Sequence, residues 1–214
     1  MMAFRPVDRP EADQVPVFPP APWSFRAEGW AGLFVTRHLV RLPDGMEALG
    51  SKRLAVLILI RNHNGSLVFD ELLVGSPVRL ADEHTGLYIH QMWVSDYHAM
   101  WGGRLLWGLH AQRAHFFWQP NAVRIADEQG PVATLRLEQR KAFWPRVSFR
   151  WRAVGRLDGY WSLAQRAVRG KPGLGRIRIV AWDFRFVLRP LAQPIVSVRL
   201  NPADLTLAPP DLLM

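Results

Sequence analysis

The chain has 214 residues, 49% of them hydrophobic and 21% charged, with a formal net charge of +9 and no Cys. At roughly 150 residues per domain, this length makes one large domain or two small ones with a sizeable core, which excludes disorder over most of the chain. The absence of Cys removes disulfides, thiolate metal sites and a cysteine nucleophile from consideration.

Residues 1–22 are Pro-rich and predict an extended arm, with Val15 to Pro22 lying on the body of a single domain over 23–214. The charges and prolines of its first twenty positions leave no room for a secretory h-region, so a cytoplasmic location is the expectation. Apolar segments of strand length then recur between turn signals: Ala31–Leu39, Arg53–Arg61, Ser66–Val74 and Leu87–Val94. The longest uninterrupted apolar run, Leu54 to Ile60, is far short of the roughly 20 residues a membrane helix needs. Between the second and third segments stands Asn64-Gly65, which predicts a hairpin closed by a type I′ turn. The same Asn64-Gly65-Ser66 is formally a glycosylation sequon, and without a secretory signal the turn reading is preferred.

Asp96 to His110 places Met100, Arg104, Trp107 and Ala111 at three- and four-residue steps, which predicts a helix with Asp96 as N-cap. Strands are predicted over Ala114–Trp118, Ala122–Ala126, Val132–Glu138 and Val147–Ala153, followed by a second helix, Asp158–Val168, ended by a flexible Gly170–Gly175 loop. Strands Arg176–Val187 and Pro194–Leu200 complete the chain. The expected class is α+β with a mostly antiparallel sheet.

Strand alternation puts Leu67, Phe69, Glu71 and Leu73 on one face, a carboxylate among apolar side chains. If that face lines the interior, desolvation raises the Glu71 pKa and makes it a candidate acid or base; the alternative is a structural carboxylate paired with an Arg. Arg104 is its cationic counterpart on the helix stripe, either answering a carboxylate or snorkelling at the rim. His84, His90, His98, His110 and His115 lack metal-ligand spacing, so no metal is expected. Gly170 to Gly175 has neither phosphate-loop order, Pro172 removes a donor, and no Gly-x-Ser-x-Gly elbow occurs. Arg140 to Arg189 holds 13 basic residues against Asp158 and Asp183. Arg150 and Arg152, like Arg176 and Arg178, alternate with apolar residues, giving a basic outer face that could meet nucleic acid or an anionic membrane surface.

Pro19-Pro20-Ala21-Pro22-Trp23-Ser24-Phe25-Arg26-Ala27-Glu28-Gly29-Trp30 resembles the N-terminal motif of the acetoacetate decarboxylase family. Leu87 to Val94 followed by Gly102 to Gly108 is similar to that family's central strand and its Gly-Arg helix, and Phe69-Asp70-Glu71 to its aromatic-x-Glu strand. The resemblance is strongest over Val68 to Ala114. It implies a curved, closed, barrel-like antiparallel β fold around an apolar cavity, in a homo-oligomer, with no cofactor. It also implies a Schiff-base lysine beside a second lysine, after a Pro that follows the helix. Here His110 stands at the Pro, and Ala111 and Gln112 at the two lysines. The remaining lysines are Lys52, Lys141 and Lys171, of which Lys141 is the nearest to a displaced nucleophile.

The resemblance therefore carries over Glu71 and Arg104 as candidate catalytic residues. It makes Met92, Trp93, Trp107, His110 and Gln112 substrate-binding wall or rim. The expectation is a protein that holds a small or lipophilic carbonyl or carboxylate ligand without Schiff-base chemistry. Two alternatives stand beside it: a lyase-like enzyme using a displaced Lys or Glu71 with His110, and a basic-face binder of nucleic acid or membrane.

Overall fold

The computed structural model describes residues 15–140, 144–183 and 188–213. The elements are β1 (Trp23–Val35), β2 (Met46–Ala48), β3 (Leu54–Gly65), β4 (Phe69–Leu80), β5 (Thr85–Val94), the helix α1 (Tyr97–Trp107), β6 (Ala111–Arg113), β7 (His115–Gln119), β8 (Ala122–Asp127), β9 (Gly130–Arg140), β10 (Val147–Leu157), β11 (Tyr160–Trp182) and β12 (Val196–Leu213). The sheet order is β10-β5-β4-β3-β1-β12-β11-β9-β8-β7, with β2 beside β4 and β6 beside β5. β10 also pairs with β11, so β10, β5, β4, β3, β1, β12 and β11 form a ring. The pairings are antiparallel except β10 with β5 and β5 with β6. The β10–β5 seam is only Ala153↔Leu87 and Val154↔Tyr88, which makes the ring a curved sheet with a short closure rather than a continuously bonded barrel.

Alternation sorts the side chains of the ring to two sides. On β3, Ala55, Leu57 and Leu59 enter a core shared with Val123, Ile125, Leu135 and Leu137 of β8 and β9, so the outer face of the ring is covered by a second layer. Val56, Ile58, Ile60 and Asn62 of the same strand face the ring interior. The interior cluster includes Trp23, Phe69, Leu73, Met92 and Trp107, and Val15, Phe18 and Ala21 of the Pro-rich arm pack against it.

The predicted helix over Asp158–Val168 is instead the first part of β11. Leu157 pairs directly with Tyr160, and the two residues between them, Asp158 and Gly159, have φ of 50° and 90°. Asp-Gly with both φ positive is the two-residue turn that matches strand twist, so β10 and β11 form a tight hairpin. The Ala, Leu, Gln and Arg content of 161–168 favours helix locally, but pairing on both edges, with β10 and β12, overrides that preference. The Gly170–Gly175 segment is likewise strand, not loop. Here β11 passes from its pairing with β12 to its pairing with β9, through a register shift between Gly170 and Pro172. Glycine suits this crossing, since a Cβ at Gly175 would stand 2.6 Å from the Cβ of Arg199.

The hairpin of β3 and β4 forms as predicted, but not through a two-residue turn. Asn62 pairs with Phe69, leaving a longer connection, and Asn64 and Gly65 extend β3 against Arg26 and Phe25 of β1. Gly65, with φ of 129°, is required there because any Cβ would collide with the Ser24 carbonyl. The predicted helix at 96–110 is α1: Asp96 Oδ1 accepts from the Ala99 N–H at 2.9 Å, and Gly108, at φ of 63°, ends it in the left-handed conformation.

Candidate functional site

All seven ring strands and α1 contribute to a cavity of about 370 Å³. Its wall is apolar: Trp23 and Phe25 from β1, Val56, Ile58 and Ile60 from β3, Met92 from β5, and Phe149 and Trp151 from β10. α1 presents Ala99, Gly103 and Trp107 to it, a stripe at four-residue spacing in which the small residues leave space. Trp107 is locked in place, its Nε1 donating to the Ala208 carbonyl at 2.8 Å and its ring edge-on to Trp23 at 4.7 Å.

Glu71 enters this cavity from β4, as the alternation with Phe69 and Leu73 implies, and is 3% exposed. Its partner comes from 95 positions further along the chain. Arg166 of β11, 8% exposed, donates through Nη1 to Glu71 Oε1 at 2.8 Å, with its guanidinium 5.3 Å from the centre of the Trp151 ring. Glu71 and Arg166 are the charged residues of the wall among the described residues. Arg166 Nε and Asn62 Oδ1 are buried without a hydrogen-bond partner among the described residues.

Arg104 does not occupy the place expected of it. It belongs to the stripe beside the cavity-facing one, packs over Trp101 at 5.0 Å, and donates through Nε to the Ala111 carbonyl at 2.7 Å. It therefore holds β6 against the helix, and the counter-charge of Glu71 is Arg166. Met92 and Trp107 line the cavity, whereas Trp93 lies in the outer core with 0% exposure. Consecutive strand residues point to opposite faces, so Met92 and Trp93 could not both line it.

His110 and Gln112 are also outside the wall. Gln112 is exposed on β6. His110 is partly buried, and that burial, with the Arg104 charge as a lesser cause, lowers its pKa. His90 sits nearby, its Nε2 3.1 Å from Ser76 Oγ and its ring edge-on to Tyr88. Burial, and after it His110, lowers the His90 pKa to about 4. Burial thus disfavours the charged form of both rings, and neither ring lines the cavity.

At the two positions where the resemblance places lysines, Ala111 is buried against Gly103 and Met92 and Gln112 faces outward. Lys52 and Lys171 are exposed and do not line the cavity. Lys141 lies outside the described residues, as do residues 184–187 at the end of the predicted strand Arg176–Val187. Among the described residues there is no cluster of metal-ligating side chains, and no helix is long and apolar enough to cross a membrane.

Among the wall residues not anticipated from the sequence are Asn62, Phe149, Trp151 and Arg166. Asn62 extends the Val56-Ile58-Ile60 alternation and breaks its apolarity as Glu71 does on β4. Arg166 was hidden by the helical reading of its segment, which the Asp158-Gly159 turn signal opposes. The basic stretch is correspondingly divided: Arg166 points inward, Arg178 pairs with Glu138 at 2.9 Å, and Arg146 lies 3.9 Å from Asp204.

Residues 36–143 match the acetoacetate decarboxylase (ADC) family. No curated protein sequence matches the chain. Among solved structures, an acetoacetate decarboxylase from Legionella pneumophila is 18% identical with a TM-score of 0.63, covering 97% of this chain and 93% of that one. The enduracididine biosynthesis enzyme MppR, complexed with pyruvate, is 15% identical with a TM-score of 0.62 over 94% of this chain and 93% of its own. An acetoacetate decarboxylase-like enzyme from Sphingomonas wittichii RW1 is 10% identical with a TM-score of 0.58, covering 99% of this chain and 100% of that one. At such identities the likeness is one of fold, and the mostly antiparallel ring with its single described helix is that fold. With half of its length inside the family pattern, this chain belongs to the acetoacetate decarboxylase family.

Proposed function

We propose that the protein binds a small lipophilic carbonyl or carboxylate compound in the ring cavity and does not form a Schiff base with it. The observation that carries this reading is the wall itself: apolar side chains around the buried Glu71–Arg166 pair, with Ala111 and Gln112 at the lysine positions. Imine formation needs a primary amine that is unprotonated part of the time, and a guanidinium stays protonated. The cavity falls in the range of small-molecule sites, roughly 300–1,000 Å³, and has their usual make-up of apolar wall and few polar groups. The fold relative MppR, complexed with pyruvate, supports a carbonyl compound as the occupant.

The test is reductive trapping. The protein is incubated with acetoacetate and borohydride, and the intact chain is weighed beside a lysine-containing family decarboxylase. The expected result is a mass increase in the control and none here. A stable increase that peptide mapping places on Lys52, Lys141 or Lys171 and not on the N-terminal amine would overturn the reading.

A further inference from the structure

We infer that this cavity selects an electrically neutral occupant, a lipophilic ketone or alcohol, over the corresponding carboxylate. This rests on the cavity reading above and narrows its ligand class. The one cation on the described wall, Arg166, is already neutralised by Glu71 at 2.8 Å, and both side chains are more than nine-tenths buried. A ligand carboxylate that reached Arg166 would share the guanidinium with Glu71. The site would then hold two anions and one cation in an apolar setting, where ions lose hydration and like charges are poorly screened. One carboxyl would have to take up a proton or leave.

A neutral head group meets no such obstacle. The wall's polar atoms include Arg166 Nε and Asn62 Oδ1, which have no hydrogen-bond partner among the described residues. A carbonyl or hydroxyl oxygen can accept from the Arg166 guanidinium without adding charge, whereas an ionised carboxylate brings a second anion beside Glu71. The apolar body is accommodated by Trp23, Ile58, Trp107 and Trp151. The cavity equals the volume of roughly a dozen water molecules at about 30 Å³ each, which suits a chain of about ten carbons.

Decan-2-one, decan-2-ol and decanoate are titrated at pH 8 into the wild-type protein and into Glu71→Gln, with binding followed by calorimetry. The wild type is expected to bind the ketone or the alcohol at least about tenfold more tightly than decanoate. In Glu71→Gln, Arg166 loses its counter-charge, and decanoate affinity is expected to rise by about tenfold or more while ketone affinity changes little. Wild-type binding of decanoate as tight as that of the neutral probes overturns the inference and leaves the cavity reading intact. Binding of none of the three overturns the cavity reading and the inference with it. The wild-type comparison decides the matter even if the variant does not fold.

Discussion

Removing one member of the Glu71–Arg166 pair is the most informative perturbation of stability. The charges meet at 2.8 Å between Nη1 and Oε1, with side chains 9% and 4% exposed, so water screens them weakly. At a separation of about 4 Å between charge centres and an effective dielectric constant of about 20, Coulomb attraction is about 4 kcal/mol. Deleting one partner leaves the other charge buried without compensation, a loss of about 3–5 kcal/mol. Glu71→Leu and Arg166→Met are each expected to destabilise by that amount. The double variant fills the same space with apolar groups and is expected to fall within about 1 kcal/mol of the wild type, or above it. The coupling in the double-mutant cycle should therefore exceed about 2 kcal/mol. Urea unfolding followed by tryptophan fluorescence measures all four proteins, with a common m-value as the check that the folded and unfolded states are comparable. Single variants that each cost under about 1 kcal/mol, or that simply add in the double, would refute the claim that the pair is desolvated and mutually dependent.

The helix supplies a second prediction with opposing contributions. A Cβ at Gly102 would stand 2.6 Å from Trp23 Cζ2 and closer still to Cη2, and Trp23 cannot yield, because its Nε1 is bonded to the Pro19 carbonyl at 2.7 Å. Overpacking of about 1–3 kcal/mol thus outweighs the roughly 1 kcal/mol that Ala gains over Gly in a helix, and Gly102→Ala should lower Tm. At Gly103 the nearest atom, the Ala111 Cβ, is 3.2 Å away, so the two effects nearly cancel and Gly103→Ala should change stability by under about 1 kcal/mol. Finding Gly102→Ala as stable as the wild type would contradict the packing of Trp23 on α1.

His90 provides the acid limb. Its pKa falls from 6.5 in the unfolded chain to about 4 in the folded one, so the native state binds fewer protons between those values. Its contribution is complete above about pH 6.5 and is lost as pH falls toward 4, by at most about 1.4 kcal/mol per pH unit. His110, also lowered, acts in the same direction, with Arg104, Tyr88 and Ser76 as the other polar neighbours of the two rings. His90→Asn should flatten the decline between pH 6.5 and 4.5, and an unchanged slope would assign the acid sensitivity elsewhere.

Local patterning determined much of this molecule. Alternation placed Glu71 on an apolar face; the Asp96 cap and three- to four-residue spacing placed α1; and the departures at Ala111 and Gln112 were visible without coordinates. These are matters of neighbouring residues, and chain geometry dictates them wherever the segment is put. What only the tertiary structure decided is which distant groups meet. Ala, Leu, Gln and Arg over 161–168 favour helix, and β11 is a strand because β10 and β12 hydrogen-bond both its edges. That pairing turns Arg166 inward to Glu71 and leaves Arg104, the nearer cation along the chain, to hold the backbone at Ala111. A buried ion pair between residues 95 positions apart depends on ring closure, which no local pattern encodes.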